Sequence, residues 1–247
     1  NNFHQVVGQS AVLDALSRSL SNNRLHHAYL FTGTHGIGKT SLARILAKCF
    51  NCEVSPGAKA CDKCKSCLEI KQGSSIDVIE VDAASNTKID DMRTLLDNVI
   101  YAPVNSRYKI YLIDEVHMLS NHSFNALLKT LEEPPEHIKF ILATTNPDKL
   151  PATILSRCLQ FHLRNLSPDA ISQQLEMILT AEKISFEPAA LWQIASMASG
   201  SMRDALTLFD QVYSLSGNDM TTETTQRTLG VSSDSQYFDL MAAIIAH

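Results

Sequence analysis

The sequence lacks the features that define several classes of protein. None of its apolar runs reaches the roughly 18 residues that a membrane-spanning helix requires, so a membrane span is excluded. Glycine (9 residues) and proline (8 residues) are scarce, which rules out a collagen-like composition. Hydrophobic residues make up 45% of the chain, too many for a mainly disordered protein, and neither a tandem repeat nor a low-complexity tract is present. What remains is a globular chain of 247 residues, long enough for one large domain or two smaller ones.

The sequence also lacks an excess of positive charge. Its formal net charge is −5, and the charge is unevenly spread, with 18 basic and 16 acidic residues in 1–166 but 3 and 10 in 167–247. Bulk charge therefore does not indicate a nucleic-acid binder, and any DNA contact would be local or built by several subunits. Residues 1–5 match neither a secretory signal nor a transit peptide. Because no initiator methionine is present, we expect the sequence to be a fragment.

The first two-thirds of the chain alternate short apolar runs with helical periods. This alternation predicts an α/β domain with a doubly wound parallel sheet over residues 1–166. The predicted strands are 28–33, 77–82, 109–114, 138–144 and 159–163. The predicted helices are 9–21, 39–51, 88–100, 120–132 and 148–156.

The pattern changes after Leu166. Ser167 followed by Pro168 is typical of a helix start, with an N-cap and a proline in the first turn. Only helical periods follow, with no strand candidate, so residues 167–230 are predicted to form a small all-helical domain. Residues 231–247 are amphipathic and are expected to begin a further, truncated helical collar domain. The predicted helices of the small domain are 168–182, 187–199 and 202–215.

A phosphate-binding loop is predicted at 33–40, where GTHGIGKT fits the pattern G-x-x-x-x-G-K-[ST] between a strand and a helix. Glycines let backbone N–H groups point at phosphate oxygens, and the helix N-terminus adds partial positive charge. Lys39 would reach the β- and γ-phosphates, and the Thr40 hydroxyl would bind Mg²⁺. The alternative is a chance glycine turn before a helix. The predicted nucleotide-binding residues here are Gly33, Thr34, His35, Gly36, Ile37, Gly38, Lys39, Thr40 and Ser41.

Two carboxylates follow the predicted strand 109–114, at the kind of strand end where α/β sheets bind ligands. Asp114 is predicted to hold Mg²⁺ through water. Glu115 is predicted to act as the general base that polarises the attacking water. The alternative, a solvated strand terminus, is weakened by the phosphate loop that precedes this strand.

Four of the six cysteines fall within sixteen residues, in the pattern Cys52-x8-Cys61-x2-Cys64-x2-Cys67. Because no secretory signal is present, metal binding is a better interpretation than disulfides. Four thiolates suit a tetrahedral Zn²⁺ whose ligand positions are all filled by protein, so the site would be structural and not water-activating. The alternative is free thiols in a loop. We expect a zinc module over about 51–70, and expect the other two cysteines, Cys49 and Cys158, to be packed in the core.

Together, the phosphate loop, the strand end DEVH and the helical second domain resemble the AAA+ ATPases. Further segments are similar to the gamma/tau type of subunit in bacterial DNA polymerase III clamp loaders, over nearly the whole chain. The delta-prime type of subunit also has a cysteine cluster, but its phosphate loop is degenerate, whereas this loop is intact. The segments that carry the closer resemblance are VGQ at 7–9, HHAYLF at 26–31, the cysteine cluster, HSFNALLKTLEEPP at 122–135, SRC at 156–158 and GSMRDAL at 200–206.

The resemblance implies roles for four further residues. Thr145 would be a sensor that touches the γ-phosphate or the attacking water, although it could simply cap a strand end. Arg157 would be an arginine finger that reaches the ATP of a neighbouring subunit, although most lone arginines form exposed salt bridges. Arg203 would contact the γ-phosphate of its own subunit, and its place in a first helical turn, where the dipole disfavours a cation, indicates a specific partner. Val7 lies in the stretch that would bind the base.

The resemblance also implies an activity. The chain would be an ATPase that uses ATP, Mg²⁺ and Zn²⁺ and loads a ring-shaped sliding clamp onto primer–template DNA in the bacterial cytoplasm. Its partners in a hetero-oligomer would be further gamma/tau copies, delta and delta-prime, and the polymerisation chemistry would lie on another subunit. Two alternatives remain open. One is another AAA+ motor of the Holliday-junction helicase type, which would need no four-cysteine insert, and the other is a non-catalytic scaffold of the delta-prime type.

Overall fold

The chain divides between Arg164 and Asn165 into two compact units. The structure is a computed structural model, and the residues that it describes are 3–85, 95, 98–217 and 219–230. The predicted helix over 88–100 lies largely outside the described residues, which include only Leu95, a helical residue, and a 3₁₀ turn at Asn98–Ile100. The predicted collar segment, 231–247, lies outside them entirely.

The first unit is built on a parallel sheet, which confirms the predicted α/β class. Five strands lie in the order β2-β3-β4-β1-β5, and every neighbouring pair is parallel. Every residue of β1 and β4 is buried, as expected for strands covered by helices on both faces. The strands are β1 (Ala28–Thr32), β2 (Val78–Asp82), β3 (Lys109–Asp114), β4 (Ile138–Thr144) and β5 (Leu159–His162).

Helices pack apolar residues against both faces of this sheet. On one face, Leu46 and Phe50 of α2 share a buried cluster with Phe31. On the other face, Leu127 of α4 is buried with Leu142. The helices of this unit are α1 (Ser10–Ser21), α2 (Lys39–Asn51), α3 (Lys65–Gln72), α4 (Asn121–Glu132) and α5 (Ala152–Leu155). Further 3₁₀ turns are found at Phe3–Gln5, Val116–Met118 and Pro147–Lys149.

One helix in this unit was predicted with the wrong extent, and another was missed. The predicted helix 148–156 is a 3₁₀ turn followed by the short α5, because Pro151 restricts the residue before it to extended conformations. That residue, Leu150, has φ −84° and ψ 139°. The second error is α3, which was not predicted within the cysteine segment. It begins where the Cys64 sulfur accepts a hydrogen bond from the N–H of Cys67 and so acts as the helix cap.

The end of α2 is tied to its surroundings by two polar side chains that are themselves buried. Asn51 donates to the carbonyl of Tyr108 (2.8 Å) and accepts from the Tyr108 N–H (3.0 Å), so one amide satisfies both backbone groups just before β3. Lys48, only 2% exposed, places its Nζ 2.5 Å from Asp62 Oδ1. Partial burial alone would raise the pKa of Asp62, but the hydrogen bond and the charge of Lys48 hold that pKa below its usual value.

The second unit is mainly helical. Its first helix begins after Ser167, whose hydroxyl accepts from the N–H of Ala170 (3.2 Å), and Pro168 occupies the first turn. Among the described residues no helix has the length and apolar character needed to span a membrane. The helices of this unit are α6 (Pro168–Glu182), α7 (Pro188–Met197), α8 (Met202–Ser216) and α9 (Thr222–Leu229).

The prediction of no strand in the second unit was wrong. Two-residue strands β6 (Ser185–Phe186) and β7 (Asp219–Met220) pair in parallel, and the N–H of Glu187 extends the pairing to the Met220 carbonyl at 2.9 Å. Two residues are too few to show the alternation by which strands are recognised in a sequence. Helix α9 was also not predicted, because its eight residues are mostly polar and its start depends on the Thr221 cap.

The Lys48–Asp62 pair gives an asymmetric stability prediction. Asp62→Asn keeps a residue type that tolerates the left-handed backbone at this position (φ 55°), but it leaves the buried Lys48 charge without that carboxylate. We expect a loss of about 2 kcal/mol in unfolding free energy. Lys48→Met removes the buried charge and leaves a partly exposed carboxylate, so it should cost less than about 1 kcal/mol. Urea unfolding, monitored by far-ultraviolet circular dichroism, measures the unfolding free energy of both variants.

The exposed pair between Lys65 and Glu69, at 3.8 Å, supplies the matched control. Lys65→Met should change the unfolding free energy by less than about 0.5 kcal/mol, because solvent screens exposed pairs. Equal losses for the two substitutions at the buried pair would show that the charge of Lys48 is not the cause.

Candidate functional site

The loop after β1 adopts a backbone path that requires glycine. Gly33 has φ 143°, and a Cβ added there would lie 2.4 Å from Ile37 Cδ1 and 2.7 Å from the Leu163 carbonyl oxygen. Gly38 has φ 98° and immediately precedes α2. The predicted glycines therefore let the chain curl tightly onto the N-terminus of a helix, where free N–H groups favour an anion.

Lys39 brings a positive charge to this loop. The residue is 5% exposed, and its Nζ donates to the carbonyls of Gly33 (2.9 Å) and Thr34 (2.8 Å). The ammonium group is thus held over the loop that carries it, at the N-terminus of α2. A phosphate chain bound there would meet both the helix N-terminus and this cation.

The predicted acidic residues lie beside the loop. The Thr40 hydroxyl donates a hydrogen bond to Asp114 Oδ2, so the two predicted Mg²⁺ ligands are in direct contact. The other carboxylate oxygen, Oδ1, accepts from the N–H of Glu115 at 2.9 Å. The contact joins the start of α2 to the end of β3, and β4 lies between β3 and β1, the strand that precedes α2.

Glu115 is held in a defined position. Its backbone is left-handed (φ 47°), a conformation that costs a non-glycine residue about 1 kcal/mol. Its Oε2 accepts hydrogen bonds from the hydroxyl (2.9 Å) and the N–H (3.3 Å) of Thr145. Its Oε1 lies 3.6 Å from Nδ1 of His35 on the phosphate loop. The predicted sensor, Thr145, is thus hydrogen-bonded to the predicted general base, Glu115.

The prediction did not include His117. Its side chain is 10% exposed, and Nδ1 lies 2.9 Å from Thr144 Oγ1 and 3.3 Å from Glu115 Oε2. The residue was visible in the sequence as the last letter of DEVH, two positions after the glutamate. The 3₁₀ turn Val116–Met118, which returns its ring toward that glutamate, could not be seen there.

Near the predicted base-binding stretch, Val7 is half-buried between the first 3₁₀ turn and α1. Gln9, which belongs to the same predicted stretch, is 4% exposed. Its amide donates to the carbonyl of Arg164 (2.7 Å) and accepts from the N–H of the same residue (3.1 Å). The two bonds fix the segment before α1 to the chain that follows β5.

Of the two predicted functional arginines, Arg157 lies in the turn after α5 and Arg203 lies in a helix of the second unit. Arg157 donates from Nη2 to Glu132 Oε1 (2.7 Å) and from Nη1 to the Thr153 carbonyl (2.9 Å). Within this chain it therefore forms the exposed ion pair that was the alternative to a finger. Arg203 belongs to the second unit, where it is exposed in the first turn of α8.

The four predicted ligand cysteines come together, with their sulfur atoms all within 4.8 Å of one another. Tetrahedral Zn²⁺ with Zn–S bonds of about 2.3 Å would space the sulfurs by about 3.8 Å, so the donor set fits this ion. Backbone N–H groups of Ser55 and Cys61 each lie 3.3 Å from Cys52 Sγ. Hydrogen bonds from the N–H groups of Lys63 and Cys64 lower the pKa of Cys61 to about 6.

The other two cysteines lie outside this cluster. Cys49 and Cys158 are buried among apolar residues, as predicted. Burial raises the pKa of each to about 12, which keeps both as neutral thiols. All six cysteines of the chain are in the described part, and all are free.

Comparison with known families and proteins gives a consistent result. The family described as "DNA polymerase III, delta subunit" matches residues 8–167, and "DNA polymerase III clamp loader subunit, ATPase lid domain" matches residues 170–218. The chain is 58% identical to DNA polymerase III subunit tau of Escherichia coli K12 over 243 residues, covering 98% of this chain and 38% of that protein. It is 48% identical to subunit gamma of Buchnera aphidicola subsp. Acyrthosiphon pisum, covering 98% and 67%.

The fold itself is shared more widely. A solved structure of Thermotoga maritima RuvB, titled a Holliday junction branch migration motor, matches with a TM-score of 0.68 at 21% identity. The match covers 91% of this chain and 70% of that one. At this identity the likeness concerns the fold alone. The family matches and the high identity over nearly the whole chain are more specific, and they show that the chain belongs to the DNA polymerase III clamp-loader family of AAA+ ATPases, among its gamma and tau subunits.

Proposed function

We propose that this chain binds and hydrolyses ATP as a motor subunit of a bacterial clamp loader. The observation that carries the proposal is the meeting, at one sheet edge, of the phosphate loop after β1, Asp114 and Glu115 after β3, and Thr145 after β4. Because the chain spans 38% of the tau relative, the activity of the whole protein is part of the proposal. That activity is ATP-driven loading of a sliding clamp onto primer–template DNA, with delta, delta-prime and further gamma/tau copies, in the bacterial cytoplasm.

In this proposal each group has its own chemical role. Lys39 and the N–H groups of the loop bind the β- and γ-phosphates. The Thr40 hydroxyl and Asp114 hold Mg²⁺, which neutralises phosphate oxygens when it is bound. Glu115 accepts a proton from the attacking water. Arg203 contacts the γ-phosphate of the same chain, and Arg157 supports the site of the neighbouring subunit.

The same proposal covers the organisation of the chain. Residues 1–166 form the nucleotide-binding domain, 167–230 form the lid, and 231–247 begin a helical collar. The family match at 170–218, described as a lid domain, supports the second of these assignments.

The alternatives explain fewer observations. A branch-migration motor shares the fold but would need no four-cysteine insert, and the tau and gamma relatives match at far higher identity. A non-catalytic scaffold would not need the intact loop, the buried Lys39 or the contact between Thr40 and Asp114.

We also propose that the four cysteines bind one structural Zn²⁺. Their sulfur atoms lie close enough for one tetrahedral ion, and the module is joined to α2 directly at Cys52 and through the Lys48–Asp62 pair. All four ligand positions would be filled by protein, so the ion would stabilise the loop and would not activate water.

Substitutions at Lys39 and Glu115 should separate binding from turnover. Lys39→Ala removes charge-assisted hydrogen bonds to ground-state phosphates, so ATP should bind at least about 100-fold more weakly. Glu115→Gln keeps the shape of the side chain but cannot accept the proton. ATP affinity should therefore stay within about twofold while kcat falls about 10²- to 10⁴-fold. Nucleotide titration and steady-state hydrolysis by the full-length protein measure the two effects.

The matched control for Lys39→Ala is Lys71→Ala, which removes an exposed lysine of α3. This substitution should change neither the ATP affinity nor kcat. Equal loss of ATP binding in the Lys39 and Glu115 variants would mean that Glu115 is a structural residue, and the general-base role would be wrong.

The metal proposal predicts one zinc per chain. Cys64→Ser should release zinc and expose the segment between α2 and β2 to proteolysis, because structural zinc is coupled to folding. ATP binding should survive, since the phosphate loop is not built from this segment. Metal analysis of freshly reduced protein together with limited proteolysis tests this.

Cys158→Ala, at a buried cysteine outside the cluster, should keep the full zinc content. A wild-type content far below one equivalent would refute the metal site, and so would full zinc content in Cys64→Ser.

The Arg157 proposal predicts a defect that acts between subunits. Arg157→Ala should leave the ATP affinity of the isolated chain unchanged, because no neighbour is present to receive the side chain. In the assembled loader, hydrolysis stimulated by clamp and DNA should fall about tenfold to a hundredfold, less than for the strongest arginine fingers because several sites share the work.

Loaders assembled from mixed subunits locate the defect. An intact subunit should be impaired when its neighbour carries Arg157→Ala, and the substituted subunit should hydrolyse normally beside an intact donor. If the defect instead follows the nucleotide of the substituted subunit, Arg157 acts within its own chain or only supports the fold through Glu132.

A further inference from the structure

The two oxygens of the Glu115 carboxylate have different surroundings. Oε2 faces three nitrogen and oxygen groups, namely the hydroxyl of Thr145 (2.9 Å), its N–H (3.3 Å) and Nδ1 of His117 (3.3 Å). Oε1 faces the phosphate loop, where His35 Nδ1 lies 3.6 Å away. The carboxylate is thus anchored through one oxygen and presents the other toward the loop.

The surroundings of His117 favour one tautomer of its ring. Its Nδ1 lies close to two oxygens, Glu115 Oε2 and Thr144 Oγ1, and an ionised carboxylate can only accept a hydrogen bond. A bare Nδ1 would place its lone pair against this carboxylate, whereas a proton on Nδ1 makes the contact attractive, and we take the ring in this tautomer. Thr144 is fully buried, and its hydroxyl oxygen also accepts from the N–H of Asn146 (3.1 Å). The ring therefore connects the carboxylate to the end of β4.

We propose that His117 is a positioning residue for the general base, and that it holds Glu115 through Oε2 so that Oε1 is the oxygen that accepts the proton from water. The proposal rests on the proposed ATPase function. Glu115 sits in a left-handed backbone conformation with its side chain 18% exposed, so its direction is not set by a continuous helix or strand. Thr145 and His117, which both contact Oε2, together supply that direction.

The role proposed for His117 is to fix the position of the Glu115 carboxylate. A general base is effective only within hydrogen-bond reach of the proton that it removes, and small misplacements at such a site cost large factors in rate. In the reaction, one water proton passes to Oε1 while the water oxygen attacks the γ-phosphorus and ADP leaves. Because His117 acts through Glu115 in this proposal and not on the nucleotide, its loss should lower kcat and leave ATP affinity unchanged.

Three substitutions of His117 in the full-length protein separate positioning from packing. His117→Ala removes both the ring and the donor. His117→Phe keeps a ring of similar shape without a donor, and His117→Asn places an amide nitrogen at the same distance from the backbone as Nδ1. The readouts are kcat for ATP hydrolysis, ATP affinity by titration, and thermal unfolding. His122→Ala, at an exposed histidine in the first turn of α4, is the matched control and should match the wild type.

We expect kcat to fall about 10- to 100-fold in the Ala and Phe variants. In the Asn variant, kcat should recover to within about fivefold of the wild-type value. The ATP affinity should stay within about twofold of wild type in all three variants. If the Phe variant keeps wild-type kcat, or if Asn is no better than Ala, the ring only packs and the proposal is wrong. Wild-type protein that binds ATP without hydrolysing it under any condition would overturn both this proposal and the ATPase function. Hydrolysis by the wild type with an unaffected Phe variant would overturn this proposal alone.

Discussion

The parallel register of β3, β4 and β1 is the constraint on which the candidate site depends. Parallel strands end at the same edge, and β4 lies between the strand that leads into the phosphate loop and the strand that ends in Asp114. The hydrogen bonds of Thr40 to Asp114 and of Thr145 to Glu115 therefore depend on the backbone pairing of these strands. Burial of the whole of β4 keeps this register fixed, because a slip by one residue would turn its side chains to the wrong faces.

The sequence predicted the parts of the structure that have a strong local cause. Nearly continuous apolar runs identified the five strands of the main sheet, and glycines at fixed spacing identified a loop whose φ angles only glycine adopts easily. The cysteine spacing identified four sulfurs that the fold brings within 4.8 Å. In each case a few neighbouring residues carry enough information to determine the local geometry.

The features that were missed depend on contacts between distant residues or on short segments. The orientation of His117 depends on a 3₁₀ turn and on the hydroxyl of Thr144, which lies 27 positions later in the chain. The pairing of β6 with β7 joins residues more than 30 positions apart through strands of two residues each. Helix α3 starts at a cysteine sulfur that acts as a cap, a role for which Ser, Thr, Asp and Asn are the usual residues.

Asn51 restrains α2, the helix that follows the phosphate loop, at its C-terminal end. Its side chain binds both the N–H and the carbonyl of Tyr108, so α2 cannot slide along its axis without breaking two buried hydrogen bonds. The N-terminus of the same helix carries Lys39 and Thr40, and the cysteine module begins directly after its last residue. The side chain of Asn51 therefore connects the phosphate loop, through one helix, to the backbone that leads into β3 and to the cysteine module.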